Sequence, residues 1–132
     1  MEKTAYQPET LHKPFANYSH VIAIEGAKRM VFCAGQVSAS ADGAVVGEGD
    51  FEAQKEQVMS NLRDALAAAG ATFADVVKVT IYVVRQEDTP KGRELLAEYF
   101  GDCDPPTAST LCVLRGLANP KFLLEVEATA VL

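Results

Sequence analysis

The chain has 132 residues, 48% of them hydrophobic and 23% charged, and its 18 acidic and 12 basic side chains give a formal net charge of −6. A chain of this length buries about two-thirds of its unfolded surface, which argues against disorder and predicts one domain over residues 1–132. No apolar run approaches the ~20 residues of a membrane span, and no signal-peptide core follows Met1, so we expect a cytosolic protein without a membrane partner. The acidic balance makes nucleic acid an unlikely partner.

The cysteines, Cys33, Cys103 and Cys112, form an odd set without CxxC spacing. This set predicts reduced thiols, mostly buried, and neither a disulfide framework nor a zinc cluster. A single histidine such as His20, without partner ligands at a characteristic spacing, does not predict a metal site. We therefore expect no metal and no cofactor.

The first residues of the chain contain two prolines and show no clear hydrophobic period, which predicts an irregular lead-in over residues 1–16. Residues 18–25 are rich in β-branched and aromatic side chains and predict a first strand, and residues 30–38 predict a second, central strand. An Asp-Gly turn signal then predicts a hairpin return through residues 44–46. The chain should thus begin as a β-meander.

A long helix is predicted next. Asp50 is a suitable N-cap, apolar side chains recur at helical spacing for about five turns, and Gly70 is a suitable stop. Residues 76–84 are β-branched at nearly every position and predict an interior strand, with Val77 on the same face as the valines and isoleucine that follow it at alternate positions.

A second helix should begin at Thr89-Pro90 and end at Gly101, because proline suits the first helical turn and glycine suits the stop. Alternation over residues 108–114 and 122–132 predicts two closing strands. The predicted order is βββ-α-β-α-ββ, an α+β domain with both helices packed on one face of the sheet.

The other face of this sheet needs a cover. Strand alternation assigns to it several apolar side chains, which would make a large patch if left in water: Val76, Tyr82, Val84, Leu123 and Val131. Small proteins commonly cover such a face with a second copy of the chain. We therefore expect an oligomer.

Two carboxylates interrupt the apolar last strand. Glu125 and Glu127 are two residues apart, hence on the same face of the strand. An ionised carboxylate without a partner is costly to bury, so one of them is a candidate general base with a raised pKa in a cleft. The alternative is a strand whose outer face is simply wet.

Three other residues are candidates for ligand binding. Tyr18 and His20 share a face of the first predicted strand, where phenol and imidazole could pair on a polar ligand or merely decorate an edge. Gly35 could leave a bare backbone amide facing a ligand, or could be no more than a bulge. No nucleotide-binding glycine register and no hydrolase triad context is present.

Seven segments of the chain occur in a characteristic order and spacing: Tyr18–His20, 31–36, 54–70, 75–83, 99–100, Pro106 and 124–128. Together they resemble the RidA/YjgF family of reactive-intermediate deaminases, some of which are described as endoribonuclease L-PSP. The resemblance extends from about Tyr18 to the end of the chain. It implies a chorismate-mutase-like fold and a homotrimer with a small-molecule cleft at each subunit interface.

The resemblance also implies roles for single residues. Glu125 corresponds to the glutamate that positions water for hydrolysis of an enamine or imine, and Tyr18 corresponds to the tyrosine of the cleft. Gly35 and Thr110 correspond to positions whose amides hold the ligand. Two positions differ from the family pattern. Ala108 replaces the arginine that binds the substrate carboxylate, and Ala34 replaces the serine of a Ser-Gly-Gln sequence.

The loss of the arginine has an expected size. An arginine–carboxylate pair in a desolvated site is worth roughly 2–5 kcal/mol on truncation, so deamination of 2-aminoacrylate should be weak or absent. Arg115 should point to the opposite face, whereas Arg85, His20 or a neighbouring subunit could supply a substitute. The sequence thus predicts a deaminase or hydrolase of altered specificity or, alternatively, a non-catalytic metabolite-binding or regulatory protein. Endoribonuclease or translation-inhibitor activity is less expected.

Overall fold

A computed structural model describes all residues, 1–132. Its strands and helices are β1 (Glu2–Tyr6), β2 (Val21–Glu25), β3 (Met30–Val37), α1 (Phe51–Ala68), β4 (Val76–Val83), α2 (Thr89–Phe100), β5 (Ala108–Val113) and β6 (Leu124–Val131). The order βββ-α-β-α-ββ and the α+β class are as predicted. Neither helix is long and apolar enough to cross a membrane.

The beginning of the chain differs from the prediction. The expected irregular lead-in over 1–16 is wrong for residues 2–6, which form β1 and pair antiparallel with β2, from Glu2 opposite Glu25 to Tyr6 opposite Val21. The predicted return strand over 44–46 is reduced to one bridge between Ala39 and Val45. Strand β1 therefore replaces the predicted return strand as one of the three strands that precede α1. Its pairing with β2 outweighs the lack of a strand pattern in its own sequence.

The main sheet has four strands in the order β3-β6-β4-β5. Strands β4 and β5 are parallel, whereas β6 is antiparallel to both of its neighbours, so the sheet is mixed. Helix α1 packs on β3 and β6, and α2 packs on β4 and β5. Both helices lie on one face, and β4 is an interior strand, as predicted.

Helix α1 begins and ends where the sequence predicts. The carboxylate of Asp50 accepts a hydrogen bond from the Ala53 amide at 3.1 Å, which satisfies one of the free donors of the first turn. Gly70, with φ of +74°, follows the last turn and takes a conformation that few other residues adopt. The helix buries Val58, Leu62 and Leu66 against the sheet.

The face of the main sheet that no helix covers is called the open face below. Strand register places on it Met30, Phe32, Lys78, Thr80, Tyr82, Ala108, Thr110, Cys112, Glu125, Glu127 and Thr129. Three apolar residues that were expected to require a cover, Val76, Leu123 and Val131, are already buried within the chain. The open face is thus more polar than predicted, although Met30 and Phe32 remain 57% and 73% exposed.

Candidate functional site

Glu125 is the best-placed carboxylate of the open face. It lies in the central strand β6, opposite Val37 of β3 and Tyr82 of β4, and is half-buried. Burial raises the pKa of Glu125 above its ordinary value, and the charge of Glu127 raises it further. A carboxylate with a raised pKa is a better proton acceptor near neutral pH, as a general base requires.

Gly35 makes room for this carboxylate. It lies in β3 where the pairing with β6 shifts register between Cys33 and Gln36. A Cβ atom on Gly35 would lie 2.2 Å from Oε2 of Glu125, far inside van der Waals contact. The adjacent Ala34 carbonyl accepts a hydrogen bond from Gln36 Nε2 at 3.0 Å. The structure therefore brings Ala34 and Gly35 of β3 together with Glu125 of the neighbouring strand β6.

The second carboxylate, Glu127, is already bound. Tyr82 donates its hydroxyl to Oε1 of Glu127. This hydrogen bond is the main reason that the pKa of Tyr82 is raised to about 12. No comparable bond holds Glu125, so the two carboxylates predicted on one face differ in surroundings: Glu127 is a hydrogen-bond acceptor within the protein, and the Glu125 carboxylate has no hydrogen-bond donor.

Ala108 and Thr110 also lie on the open face, but at the opposite edge of the sheet, in β5. Their direct partners in the parallel strand β4 are Lys78 and Thr80. The Lys78 ammonium donates to Oγ1 of Thr110 at 2.7 Å, and burial lowers its pKa. Lys78 was not predicted from the sequence, although a charged residue within an apolar or β-branched strand is the same signal that pointed to Glu125.

Tyr18 and His20 lie just before β2 rather than within a strand. The Tyr18 hydroxyl accepts a hydrogen bond from the Phe15 amide at 3.2 Å, and His20 Nε2 lies 2.7 Å from the carbonyl oxygen of His12, to which it can donate. The rings of Tyr18 and His20 meet edge to face, with centroids 5.8 Å apart. Both residues are near β5, since the intervening Ser19 pairs with Ala108.

Tyr18 does not face Glu125. It lines a pocket of about 160 Å³ between α2, β5 and the N-terminal segment, on the helix side of the sheet, together with Phe15, Arg93, Ser109 and Leu111. His12 packs against His20 with ring centroids 4.8 Å apart, a neighbour that the sequence spacing did not suggest. No group of three histidine, cysteine, aspartate or glutamate side chains is arranged to hold a metal ion.

The predicted site residues thus fall into two groups. The β3 group consists of Ala34, Gly35 and Glu125, and the β5 group consists of Tyr18, His20, Ala108 and Thr110. Strands β6 and β4 separate β3 from β5, which corresponds to about 14 Å at the usual strand spacing, and Glu125, itself on β6, is two strand spacings, or about 10 Å, from β5. One chain does not bring the two groups together.

Arg85, one of the substitutes considered for the missing arginine, is already paired. Its guanidinium donates to both carboxylate oxygens of Asp88, at 2.7 and 3.1 Å, and Glu87 lies 3.4 Å away. A guanidinium bound by two carboxylates has little attraction left for a ligand anion. Arg85 is therefore not the substitute within this chain.

Comparison with known proteins gives a consistent result. The family model described as Endoribonuclease L-PSP matches residues 9–132. A RutC family protein of Pyrococcus horikoshii is 34% identical over 122 residues, which is 92% of each chain. Protein DfrA of Myxococcus xanthus is 31% identical over 131 residues, covering 99% of this chain and 97% of DfrA.

Solved structures agree with the fold. YyfB of Yersinia pestis, a Rid family protein of unknown function, is 35% identical and superposes with a TM-score of 0.86 over 100% of both chains. Rv2704 of Mycobacterium tuberculosis, from the YjgF/YER057c/UK114 family, is 31% identical with a TM-score of 0.64, covering 87% of this chain and 86% of that one. With these matches, the chain belongs to the Rid family, known also as the RidA, YjgF or L-PSP family.

Proposed function

We propose that this Rid family protein hydrolyses a small enamine or imine in a cleft between subunits of a homotrimer. The observation that carries the proposal is the state of Glu125: half-buried, with a raised pKa, seated over Gly35 and not hydrogen-bonded within the chain. Glu127, by contrast, is occupied by Tyr82. Glu125 is therefore the carboxylate available to activate water.

The reaction needs no redox step and no cofactor. An enamine first takes a proton on carbon and becomes an iminium ion. A water oxygen then bonds to the iminium carbon while Glu125 accepts a water proton, which gives a neutral carbinolamine. Glu125 returns this proton to the nitrogen, the C–N bond breaks with its electron pair leaving on ammonia, and the hydroxyl group loses its proton to solvent as the carbonyl forms.

The proposed cleft lies between copies because the β3 and β5 groups lie toward opposite edges of one sheet. A head-to-tail contact between identical chains can place the β3 side of one subunit against the β5 side of the next, and three such contacts close a ring. The exposed Met30 and Phe32 on the open face provide apolar surface for that contact. Gly35 and Thr110 would then border the same ligand as Glu125. Tyr18 lies on the helix side of the sheet and would meet this ligand only where the cleft passes the free edge of β5.

Ala108 and Ala34 set the expected specificity. By the family resemblance, Ala108 stands where deaminating relatives carry a carboxylate-binding arginine. The loss of that arginine should cost roughly 2–5 kcal/mol of binding free energy for a carboxylate substrate, which is about 30-fold to several thousand-fold weaker binding. Turnover of 2-aminoacrylate should therefore be weak compared with that of such relatives.

The same two substitutions favour a second candidate, a metabolite binder or regulator that has kept the cleft without turnover. RNA cleavage, which the family description names, has less support because a net charge of −6 opposes binding to a phosphate backbone. A ligand that raises the melting temperature without being consumed would favour the binder.

The first test is an assay of freshly generated 2-aminoacrylate and other imines with the wild type, Glu125→Ala and Ala108→Arg. We expect slow wild-type turnover, faster turnover of 2-aminoacrylate by Ala108→Arg, and loss of turnover in Glu125→Ala. Full activity in Glu125→Ala would remove this residue from the mechanism.

A mixing experiment tests the position of the cleft. Glu125→Ala removes the β3 half of the site, and Thr110→Tyr obstructs the β5 half, so each variant alone should be inactive. If clefts combine halves from neighbouring subunits, equal co-assembly of the two variants restores about a quarter of the clefts. If each site lies within one chain, the mixture stays inactive.

A further inference from the structure

We propose that the pocket between the N-terminal segment and α2 binds a small, uncharged aromatic molecule that carries an oxygen acceptor, at a site separate from the proposed cleft. This inference goes beyond the proposed function and does not depend on it. The pocket lies on the helix side of the sheet, whereas Glu125 lies on the open face.

Ser109 shows to which face of the sheet the pocket belongs. This residue lines the pocket and lies opposite Val79 in the parallel pair of β5 and β4, and Val79 is fully buried in the core. Its neighbours Ala108 and Thr110 point to the open face, as strand alternation requires. A ligand beside Ser109 is therefore on the opposite face of the sheet from Glu125.

The pocket has the size and the surface of a site for one aromatic ring. Its volume is about 160 Å³, and its apolar lining includes Ile81, Leu96 and Leu111, of which the first two are buried in the core. In another protein, a cavity of about 150 Å³ with apolar walls holds benzene. A molecule with two fused rings would have to displace these side chains, which are packed into the core.

The outer wall of the pocket is in place before any ligand binds. The Phe15 ring stacks on the His12 ring with centroids 4.2 Å apart, and the Phe15 amide donates a hydrogen bond to the Tyr18 hydroxyl at 3.2 Å. The Arg93 guanidinium lies over the Phe15 ring, 5.9 Å from its centroid. Side chains that are already held lose little freedom on binding. Phe15 is 69% exposed, so a ligand that covers its ring removes apolar surface from water.

The polar groups of the pocket are hydrogen-bond donors. The Ser109 hydroxyl makes no hydrogen bond within the chain, and the Tyr18 hydroxyl accepts a bond but donates none. No carboxylate lines the pocket. These donors favour a ligand with an oxygen acceptor, such as an amide carbonyl, and disfavour a cation. Because Arg93 is exposed and its charge is hydrated, the ligand needs no charge of its own.

Ligand titration of the intact protein tests the site. The probe is benzamide, an uncharged aromatic amide, and its matched controls are benzylamine, which is a cation at neutral pH, and 1-naphthamide, which has two rings. By calorimetry we expect benzamide to bind with a dissociation constant on the order of 0.1–1 mM and both controls to bind at least about tenfold more weakly. In methyl-labelled protein, the NMR signals of Ile81 and Leu111 should shift, with little change at Met30 on the open face.

Two variants separate the space of the pocket from its polar group. Ser109→Leu fills the pocket and should abolish benzamide binding, whereas Ser60→Leu, the same change on α1 outside the pocket, should bind as wild type. Ser109→Ala keeps the space and removes the hydroxyl. It should bind benzamide about two- to tenfold more weakly and leave the binding of toluene, which has no acceptor, unchanged. Thermal unfolding of each variant reports whether the fold is intact.

Three results would overturn the inference. They are the lack of saturable benzamide binding up to its solubility limit, a methyl shift at Met30 without one at Ile81 or Leu111, and full benzamide binding by a folded Ser109→Leu variant. If Ser109→Leu does not fold, unchanged benzamide binding by Ser109→Ala contradicts the proposed contact. Equal affinity for benzylamine and benzamide would contradict the ligand class. None of these measurements uses turnover, so their outcome is independent of catalysis by Glu125.

Discussion

Tyr82 donates its phenolic hydroxyl to Glu127, two residues beyond Glu125 on the same face of β6. The bond gives two neighbouring carboxylates different surroundings. One is held by a donor, and the other is raised in pKa by burial and by the charge of its neighbour. Environments that separate two titratable groups in this way are typical of sites where a proton is transferred.

The first prediction concerns this pair. Glu127→Gln removes a negative charge near Glu125 and Tyr82 and leaves Tyr82 only a neutral amide oxygen as acceptor, so the pKa of both residues should fall, that of Tyr82 from about 12 toward its ordinary value. Carbon-detected NMR titration would follow Glu125, and absorbance of tyrosinate would follow Tyr82. Tyr82→Phe keeps the charge of Glu127 and should leave the pKa of Glu125 raised. An unchanged Glu125 titration in Glu127→Gln would contradict this account.

The second prediction is a pH dependence of stability. Above the unfolded value near 4.5 and below its raised folded value, Glu125 binds more protons in the folded state, so its contribution to stability falls as pH rises through this window. Glu125→Gln removes that loss. Urea unfolding should therefore show a gain for the variant over wild type at pH 7.5 relative to pH 4. An equal difference at both pH values would refute the sign.

The third prediction uses the close approach of Gly35 to Glu125. The three nearest atoms to a Cβ at position 35 all belong to the Glu125 side chain, at 2.2 to 2.9 Å. Gly35→Ala should displace this carboxylate and abolish the proposed turnover without unfolding the protein.

A double-mutant cycle measures the contact. Glu125→Ala removes all three clashing atoms, so Gly35→Ala should destabilise wild type and have a much smaller effect in the Glu125→Ala background. Additive effects in the unfolding free energy would show that the two residues do not interact.

The fourth prediction concerns the buried amide that fixes the start of β6. Gln54 of α1 donates to the carbonyls of Gly47 and Lys121, at 3.1 and 2.8 Å, and accepts from the Leu123 amide at 2.8 Å. Gln54→Leu should lower the unfolding free energy by about 2–4 kcal/mol, because three bonds are lost and their buried partners remain. Gln57→Leu, on the same helix but only half-buried, is a control with a smaller expected loss in urea unfolding.

The sequence indicated most of the fold because the helices carry local signals. The caps at Asp50 and Gly70 and the proline start at Thr89-Pro90 are short-range chemistry that tertiary contacts left in place. Strand β1 carries no such signal, since its structure depends on pairing with a segment about twenty residues later. Strand β4 has a bulge, because its pairing with β6 shifts register between Val76 and Lys78, and this bulge had no local signal. It buries Val76 rather than Val77, which the predicted alternation had placed on the buried face.

The site was predictable in parts. Charged residues within apolar strands pointed to Glu125, and the same rule applied to Lys78 would have found the cation of the open face. The partition into β3 and β5 groups was not predictable, because strand order in the sheet is not chain order: β6 lies between β3 and β4. Local sequence patterns do not specify that order.

The close packing of the Glu125 side chain against Gly35 couples the evolution of two positions that are ninety residues apart in the chain. While the glutamate is retained, natural selection should reject any side chain at position 35, even one as small as alanine. Once the glutamate is lost, that restriction disappears. Among relatives, glycine at the first position and glutamate at the second should therefore be inherited together, and lineages that have abandoned one should show drift at the other.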